Sequence, residues 1–422
     1  MYGNIEIVLL KILSIATLIV LFKLERSMSV VKDIIENFMD IRGDTVSRML
    51  EAKKSGTKVV GVYCTFCPNE LIMAAGAIPV GLCGTKEDPI PAAEEALPRN
   101  LCALIKSSYG FGVTDTCPFF NFSDFIIGET TCDGKKKMFE IMQDLKPVHV
   151  MQLPHLHKTA ASFDLWVEEL RKLKERIERE FEVKISDEDI WKAIDVTNRE
   201  KQALKEVSDL NQSDPPPLSG LDLLTVIWSS GFTFDREEIV DKLNDLKEKI
   251  ISAQKEKDNS ASSKPRVLLT GCPVGLGSEK VITLVEELGA NVVAMENCTG
   301  YKTLELQTNN SYEDPIVALA HKYISIPCSC MSPNPYRLEL LERMIEDFQA
   351  DAVIDLTWQA CHTYNIEAYE VEKIAKKKGL PYLQLETDYS SSDKENLKVR
   401  IESMLEMVED DIHRDGHRFR CC

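Results

Sequence analysis

The sequence predicts an α/β fold: two related Rossmann-like domains with mainly parallel sheets, joined by a helical segment. Three observations carry this reading. Short apolar runs rich in β-branched residues recur along the chain, and amphipathic helical stretches separate them, the alternation that builds βαβ units. The runs are near-continuously apolar, as strands buried on both faces of a parallel sheet are. One block also repeats: VVGVYCTFCPNELIMAAGAIPVGLCG (59–84) and RVLLTGCPVGLGSEKVITLVEELGANVVAMENC (266–298) each read strand, cysteine, helix, Gly-Ala, strand.

In chain order, the first feature is IEIVLLKILSIATLIVLF (Ile5 to Phe22), strongly apolar yet carrying Glu6 and Lys11. It is barely long enough to cross a bilayer, and no small-residue cleavage site follows it. Met28 begins an ordinary soluble start, so residues 1–27 read as an extension outside the fold, with a membrane anchor as the alternative. Residues 28–155 form the first α/β domain with leading helices, its strands expected at 58–64, 78–84, 124–132 and 148–154. Residues 156–262 form a helical insertion and linker. Charged helical sequence such as DLWVEELRKLKERIEREFEV fills it, and Ser186 with Asp189 has the spacing of a helix N-cap. DPPPLSG (214–220) breaks the helices, and KEKDNSASSK (255–264) reads as a flexible linker. Residues 263–422 form the second α/β domain, with strands expected at 266–272, 291–298, 323–330, 352–358 and 382–389.

Composition narrows the function. A net charge of −18 argues against nucleic acid as a partner, because phosphate binding needs a basic face. The chain has thirteen cysteines, an odd number, in a long sequence without a cleavable secretory signal. That favours metal or redox use in the cytoplasm over a disulfide framework.

The placement of the cysteines sharpens this. In doubly wound sheets, ligands sit beyond the C-terminal ends of the strands. Cys64, Cys132, Cys272 and Cys298 fall at such ends, and Cys361 lies just past the 352–358 run. Cys102 sits within or beside a short helix, and Cys328 and Cys330 lie two apart, on one face of an extended chain. Pro68 suits a first helical turn after Cys64, and a helix is expected from near Thr363, after Cys361. The partial positive charge of a helix start favours thiolate over thiol, and favours an anionic iron–sulfur cluster. A free cysteine is otherwise a small apolar residue, often buried without chemistry. That reading weakens when six or more converge on equivalent strand ends. For zinc, the one C-x2-C pair, Cys64 and Cys67, has no second pair to match it, and His155 and His157 are poorly placed.

No Walker A pattern occurs. GCPVGLG (271–277) is not G-x-G-x-x-G, and a tight turn around Cys272 is its expected use. Carboxylates recur at strand ends: Glu129, Glu296, and Glu386 with Asp388. They are candidate proton donors to a substrate reduced at a cluster, or else caps for the following helices.

YCTFCPNELIMAAGAIPVGL, LPRNLCALIKSSYG, ETTCDGKKKM, TGCPVG, MENCTG, QACHTYNIEAYE and LQLETDYS together resemble the 2-hydroxyacyl-CoA dehydratase / benzoyl-CoA reductase subunit family, and within it the double-cubane cluster protein branch. The resemblance runs from about Met28 to Ser390. It implies two α/β domains plus helices, and a [4Fe–4S] cubane held by three cysteines in each dehydratase subunit. Here those three would be Cys64, Cys102 and Cys361; Cys64, Pro68 and Glu70 match the family's Cys-x-x-x-Pro-x-Glu setting, with Cys67 the alternative. The chain departs from the single-cubane pattern by a further set, Cys132, Cys298 and Cys328, with Cys330 the alternative to Cys328. That surplus resembles the branch in which a sulfide joins two cubanes into an [8Fe–9S] cluster. Cys83, Cys117 and Cys272 are left in supporting roles, and Cys421 and Cys422 are unrelated. The resemblance also implies a homodimer served by an ATP-hydrolysing [4Fe–4S] reductase partner, in keeping with the missing Walker A. The function it implies is an iron–sulfur reductase component acting on small molecules. The alternatives are a 2-hydroxyacyl-CoA dehydratase or acyl-CoA reductase subunit with one cubane, and a non-catalytic electron-transfer protein.

Overall fold

The computed structural model describes residues 32–255, apart from 34, 37 and 39, and residues 264–415. The expectations for residues 1–27, for nearly all of the linker 255–264 and for Cys421 and Cys422 lie outside the described residues. Among the described residues, no helix is long and apolar enough to cross a membrane.

Two sheets of four parallel strands organise the chain. The first contains β1 (Val59–Val62), β2 (Ile78–Gly81), β3 (Phe125–Glu129) and β4 (Val148–Met151), in the order β2-β1-β3-β4. The second contains β5 (Arg266–Gly271), β6 (Asn291–Met295), β7 (Ala352–Trp358) and β8 (Tyr382–Thr387), in the order β6-β5-β7-β8. The orders are the same, so the internal sequence repeat is a repeat of topology. In each sheet the chain reverses its winding between the two central strands, β1 and β3 or β5 and β7. A crevice opens there beyond the strand ends.

Each sheet is covered on both faces, which is why its strands read as unbroken apolar runs. On the first sheet, Val60, Val62, Phe125 and Ile127 pack with Trp166, Leu170 and Leu173 of the helix Ala160–Phe181. Ile126, on the opposite face, packs with Met138, Phe139 and Met142 of the helix Asp133–Met142. On the second sheet, Leu268 and Val353 meet Leu341 and Met344 on one side, and Val267, Leu269 and Ile354 meet Leu224, Val285 and Ile401 on the other. Each such buried side chain contributes roughly 1.5–3 kcal/mol of hydrophobic stabilisation. One apolar cluster runs from Ile126 and Met138 of the first sheet's surroundings to Val267 and Leu269 of the second, so the two halves share a core.

The stretch after the first sheet is helical, as its charged periodicity predicts: Ala160–Phe181, Asp187–Asp209, Gly220–Ser230 and Arg236–Lys255. Ser186 caps its helix as expected, accepting from the backbone N–H of Asp189 at 3.2 Å. One strand expectation is wrong. YISIPCSC (323–330) is no strand: Tyr323 and Ile324 end the helix Pro315–Ile324, and the rest is a turn carrying Cys328 and Cys330. Asp314, accepting from the N–H groups of Ile316 and Val317, with Pro315 at the first helical position, starts a helix through the apolar run. Pro327 then offers no N–H for a ladder.

Candidate functional site

A cavity of about 540 Å3 lies between the two sheets, and nine cysteines line it: Cys64, Cys83, Cys102, Cys132, Cys272, Cys298, Cys328, Cys330 and Cys361. Local chain geometry brings them there. Cys64 follows β1 and Cys132 follows β3, while Cys272 follows β5 and Cys361 follows β7. Four of the nine therefore stand at the two winding reversals. The turn at Cys272 is forced by Gly271, whose φ is +105° and whose hypothetical Cβ would stand 2.2 Å from the carbonyl oxygen of Leu356. No side chain fits there. The GCPVGLG segment thus serves the tight turn that the sequence suggested.

Three of the thiols share a second feature. Cys102, Cys132 and Cys361 are the N-cap residues of the helices Ala103–Val113, Asp133–Met142 and His362–Lys377. The Cys132 sulfur accepts from the backbone N–H of Lys135 at 3.5 Å. Three helix N-termini thus direct partial positive charge at one end of the cavity. Cys64, Cys298, Cys328 and Cys330 lie instead in loops.

The electrostatics group the thiols along similar lines, with Cys272 joining Cys102 and Cys361. Cys361 is held well below the ordinary thiol range because its sulfur accepts hydrogen bonds from the Cys102 and Cys272 thiols. Cys328 is drawn down to about 6, chiefly by a hydrogen bond from Cys330, against the cost of burial and with help from the Lys302 ammonium. Burial pushes Cys298 up to about 11 and raises Cys64 further, where the thiols of Cys298 and Cys328 add to the effect. One group is therefore Cys102, Cys272 and Cys361, while Cys132 interacts with Cys361 of that group and with Cys328 of the other. The other is Cys64, Cys298, Cys328 and Cys330. Both groups take thiols from both halves of the chain. This differs from the trios that the resemblance implied, in which Cys64 went with Cys102 and Cys361.

Two buried lysines, which the sequence did not single out, serve these thiols. Lys135 lines the cavity and its ammonium donates to the carbonyl of Tyr63 at 3.0 Å. Burial works against its charge, but Cys64, Cys83, Glu129 and Cys132 outweigh it and raise its pKa. Lys302 is wholly buried, paired with Glu296 at 3.5 Å and hydrogen-bonded to the Tyr364 hydroxyl. Burial opposes its charge too, yet Glu296, Cys298 and Cys328 carry its pKa up to about 12. Lys135 comes three residues after an N-capping cysteine and Lys302 four after Cys298, which puts each in a first turn facing its thiol. Nothing in the run Lys135, Lys136, Lys137 tells which of the three turns inward.

The three candidate proton donors have different surroundings. Glu129 is fully buried, and neither carboxylate oxygen has a hydrogen-bond partner among the described residues. Burial pushes it up to about 8, with Lys135 acting in the opposite direction. Glu296 is buried in an ion network, accepting from Thr270 at 2.6 Å and Arg337 at 3.1 Å. Glu386 is exposed and accepts from the Asn365 amide at 3.4 Å. None of the three lines the cavity.

The remaining candidates fall elsewhere. Cys67 is buried in the apolar cluster with Phe66 and Leu71, outside the cavity. Cys117 caps the short helix Pro118–Phe122, also outside it. His155 lines the cavity, its Nε2 2.8 Å from the carbonyl oxygen of Thr130, whereas His157 does not. Glu70 of the Cys-x-x-x-Pro-x-Glu motif is a latch rather than a cavity group. Its wholly buried carboxylate accepts from Lys322 at 2.7 Å, Tyr323 at 2.7 Å and Thr197 at 3.0 Å. It so ties the helix Asn69–Ala74, which follows β1, to the helix that leads into the Cys328 turn.

Among the described residues, no three His, Cys, Asp or Glu side chains converge on a point suited to a single metal ion. The thiols instead surround a volume, in two groups with buried cations and helix N-termini around them. That donor set fits a polynuclear, anionic iron–sulfur group better than a lone zinc ion, which takes four ligands at tetrahedral range.

The chain is similar to known proteins over most of its length. Residues 64–408 match the family model described as 2-hydroxyglutaryl-CoA dehydratase, D-component. The chain is 45% identical to a putative dehydratase subunit, YjiM, of Escherichia coli, over 90% of this chain and 100% of the relative. It is 22% identical to the (R)-phenyllactyl-CoA dehydratase beta subunit of Clostridium sporogenes, over 89% of this chain and 97% of that one. With a benzoyl-CoA reductase subunit of Thauera aromatica the identity is 19%, over 86% of this chain and 94% of that one.

Proposed function

This chain belongs to the 2-hydroxyglutaryl-CoA dehydratase D-component family, and from that premise we propose that its cysteine-lined cavity holds an iron–sulfur centre used to reduce a small molecule. The observation that carries the reading is the convergence of nine thiols, from both halves of the chain, on one cavity. We assign a double-cubane [8Fe–9S] centre, one cubane to Cys102, Cys132 and Cys361, the other to Cys64, Cys298 and Cys328, with Cys330 beside the second. When bound, such a centre supplies electrons at a potential set by its charge, its hydrogen bonds and its exposure.

The chain's own residues have defined tasks in this reading. Three helix N-termini and the ammonium groups of Lys135 and Lys302 offset the negative charge of the thiolates. Trp358 and Tyr63, both nearly inaccessible to solvent, wall the cavity and exclude water. Glu129 carries its proton near neutral pH and is the carboxyl we assign as proton reserve. Glu296 is occupied by Arg337 and Glu386 faces solvent, so neither suits that role. Electrons would come from an ATP-hydrolysing [4Fe–4S] partner, the chain working as a homodimer in a reducing compartment such as the cytoplasm. All its described cysteines are free, which suits that compartment.

A second reading is favoured by the relatives: a single-cubane subunit of an acyl-CoA dehydratase or reductase. Anaerobic purification with iron and acid-labile sulfide counts separates the two. The double cubane gives about eight irons per chain, and the single cubane about four. Cys132→Ser and Cys298→Ser, one from each thiol group, should each halve the count. Full iron content in both variants would refute the assignment, and no iron at all would refute both readings.

A further inference from the structure

A second chamber, of about 210 Å3, adjoins the cysteine cavity, and Cys64, Cys83 and Cys298 line both. The helices Asn69–Ala74, Asp187–Asp209 and Gly220–Ser230 form other parts of its wall, with β2 and the segment around Thr299. The helical stretch between the sheets thus closes a space against the loop-thiol end of the cavity.

The lining is unusual in what it leaves unpartnered. The Thr65 hydroxyl, the Asn69 side-chain oxygen and the Trp228 indole N–H all line this chamber, are buried, and lack a hydrogen-bond partner among the described residues. Buried polar groups without partners cost free energy, and three around one small space mark a place built for a polar guest. The charge of the chamber is also uneven. Arg236 and Glu200 neutralise each other at 2.5 Å. Lys201, on the same wall, forms no ion pair or hydrogen bond among the described residues. Much of the remaining wall is apolar, with Leu204, Ile227 and Phe232, and Thr85, Thr299 and Thr303 also line it. Burial lowers the Lys201 pKa, with Glu200 and Glu70 acting the other way; a buried lysine without an ion pair and an indole donor call for an anionic head. The Thr65 hydroxyl can donate or accept, and the Asn69 amide can turn to present N–H. The apolar side accommodates a short hydrocarbon body.

We propose that this chamber binds a small organic carboxylate, its head on Lys201 and Trp228 and its body against Leu204 and Phe232, within reach of the Cys64–Cys298 wall. Binding itself stands on the chamber alone; that the bound acid is a substrate rests on the iron–sulfur reading given above. The chamber is too small for a CoA thioester with its nucleotide, so the acid would be taken free.

The test is calorimetric titration of the full-length, anaerobically purified protein with propionate and with its neutral isostere propionamide, alongside iron counts. Saturable propionate binding, at least tenfold tighter than that of propionamide, is the expected result. Lys201→Met should weaken propionate about tenfold or more, a charged hydrogen bond being lost, with iron content unchanged. Lys201→Arg should keep the preference for the acid. Trp228→Phe should weaken propionate by a smaller factor, and serves if Lys201→Met does not fold. Equal binding of acid and amide, or propionate binding indifferent to both Lys201→Met and Trp228→Phe, would overturn the proposal. Lys201-dependent binding to a protein without iron would uphold the chamber and sink the cluster reading. A full iron count without propionate binding would do the reverse.

Discussion

At one end of the cavity the thiols of Cys102, Cys132 and Cys361 stand on helix starts; at the other, those of Cys64, Cys298 and Cys328 stand in loops. In the iron–sulfur reading both ends would carry negative charge in a buried space, and the means available at each differ. The helix-borne end uses backbone: three N-termini, with Cys361 taking hydrogen bonds from Cys102 and Cys272. The loop end uses side chains at a distance. Lys302 is held by Glu296, which is held by Arg337, which also reaches Glu367 at 2.6 Å. The turn carrying Cys328 follows a helix latched by Glu70 through Lys322 and Tyr323. A site on helix ends is fixed once the helices pack, whereas a site on loops is only as firm as the ion pairs that pin them.

Breaking those pins should separate the ends. The largest effect is expected for Glu70→Ala, which leaves Lys322 buried without its carboxylate. Removing one member of a buried pair costs about 3–5 kcal/mol, measurable by urea unfolding. The wild-type pair also predicts a pH dependence. Burial pushes the Glu70 carboxyl up, but Lys322 and Tyr323 outweigh it and hold it below its ordinary value. A depressed folded pKa gives stability that is present above the unfolded pKa and lost as pH falls through the folded one. Wild type should therefore lose stability on acidification through that window, and Glu70→Gln should lack this component. A Glu70→Ala protein as stable as wild type would remove the latch from the account.

A chemical probe of iron-free protein should give the next effect. Cys328, with its pKa near 6, should alkylate at a rate that rises through about pH 6, while Cys298, near 11, stays slow at neutral pH. Lys302→Met should move the Cys328 midpoint upward and leave Cys361 unchanged, because Lys302 serves only the loop end. Peptide mapping after timed iodoacetamide reads both, and equal shifts at Cys361 and Cys328 would dissolve the distinction between the ends. The smallest effect is expected where the ends touch. Ser329, between Cys328 and Cys330, donates to the Thr363 hydroxyl at 2.9 Å, and that hydroxyl lies 3.9 Å from the Cys361 sulfur. Thr363→Val should cost about 0.5–1.5 kcal/mol and change the reactivity of Cys328 and Cys361 together.

The sequence by itself determined the two parallel sheets and the positions of Cys64, Cys132, Cys272, Cys298 and Cys361 just beyond their strands, because period and apolar run length are local properties and a parallel strand must end where its crossover helix begins. It misjudged 323–330, where the Asp314–Pro315 helix start outweighed an apolar run that could serve either element. Only the tertiary structure decided which thiols stand together, that Lys135 turns inward while Lys136 and Lys137 do not, and that Glu296 is shut in by Arg337. Those outcomes depend on how one sheet docks against the other and on how deeply each charge is buried, and neither is written in any short stretch of chain.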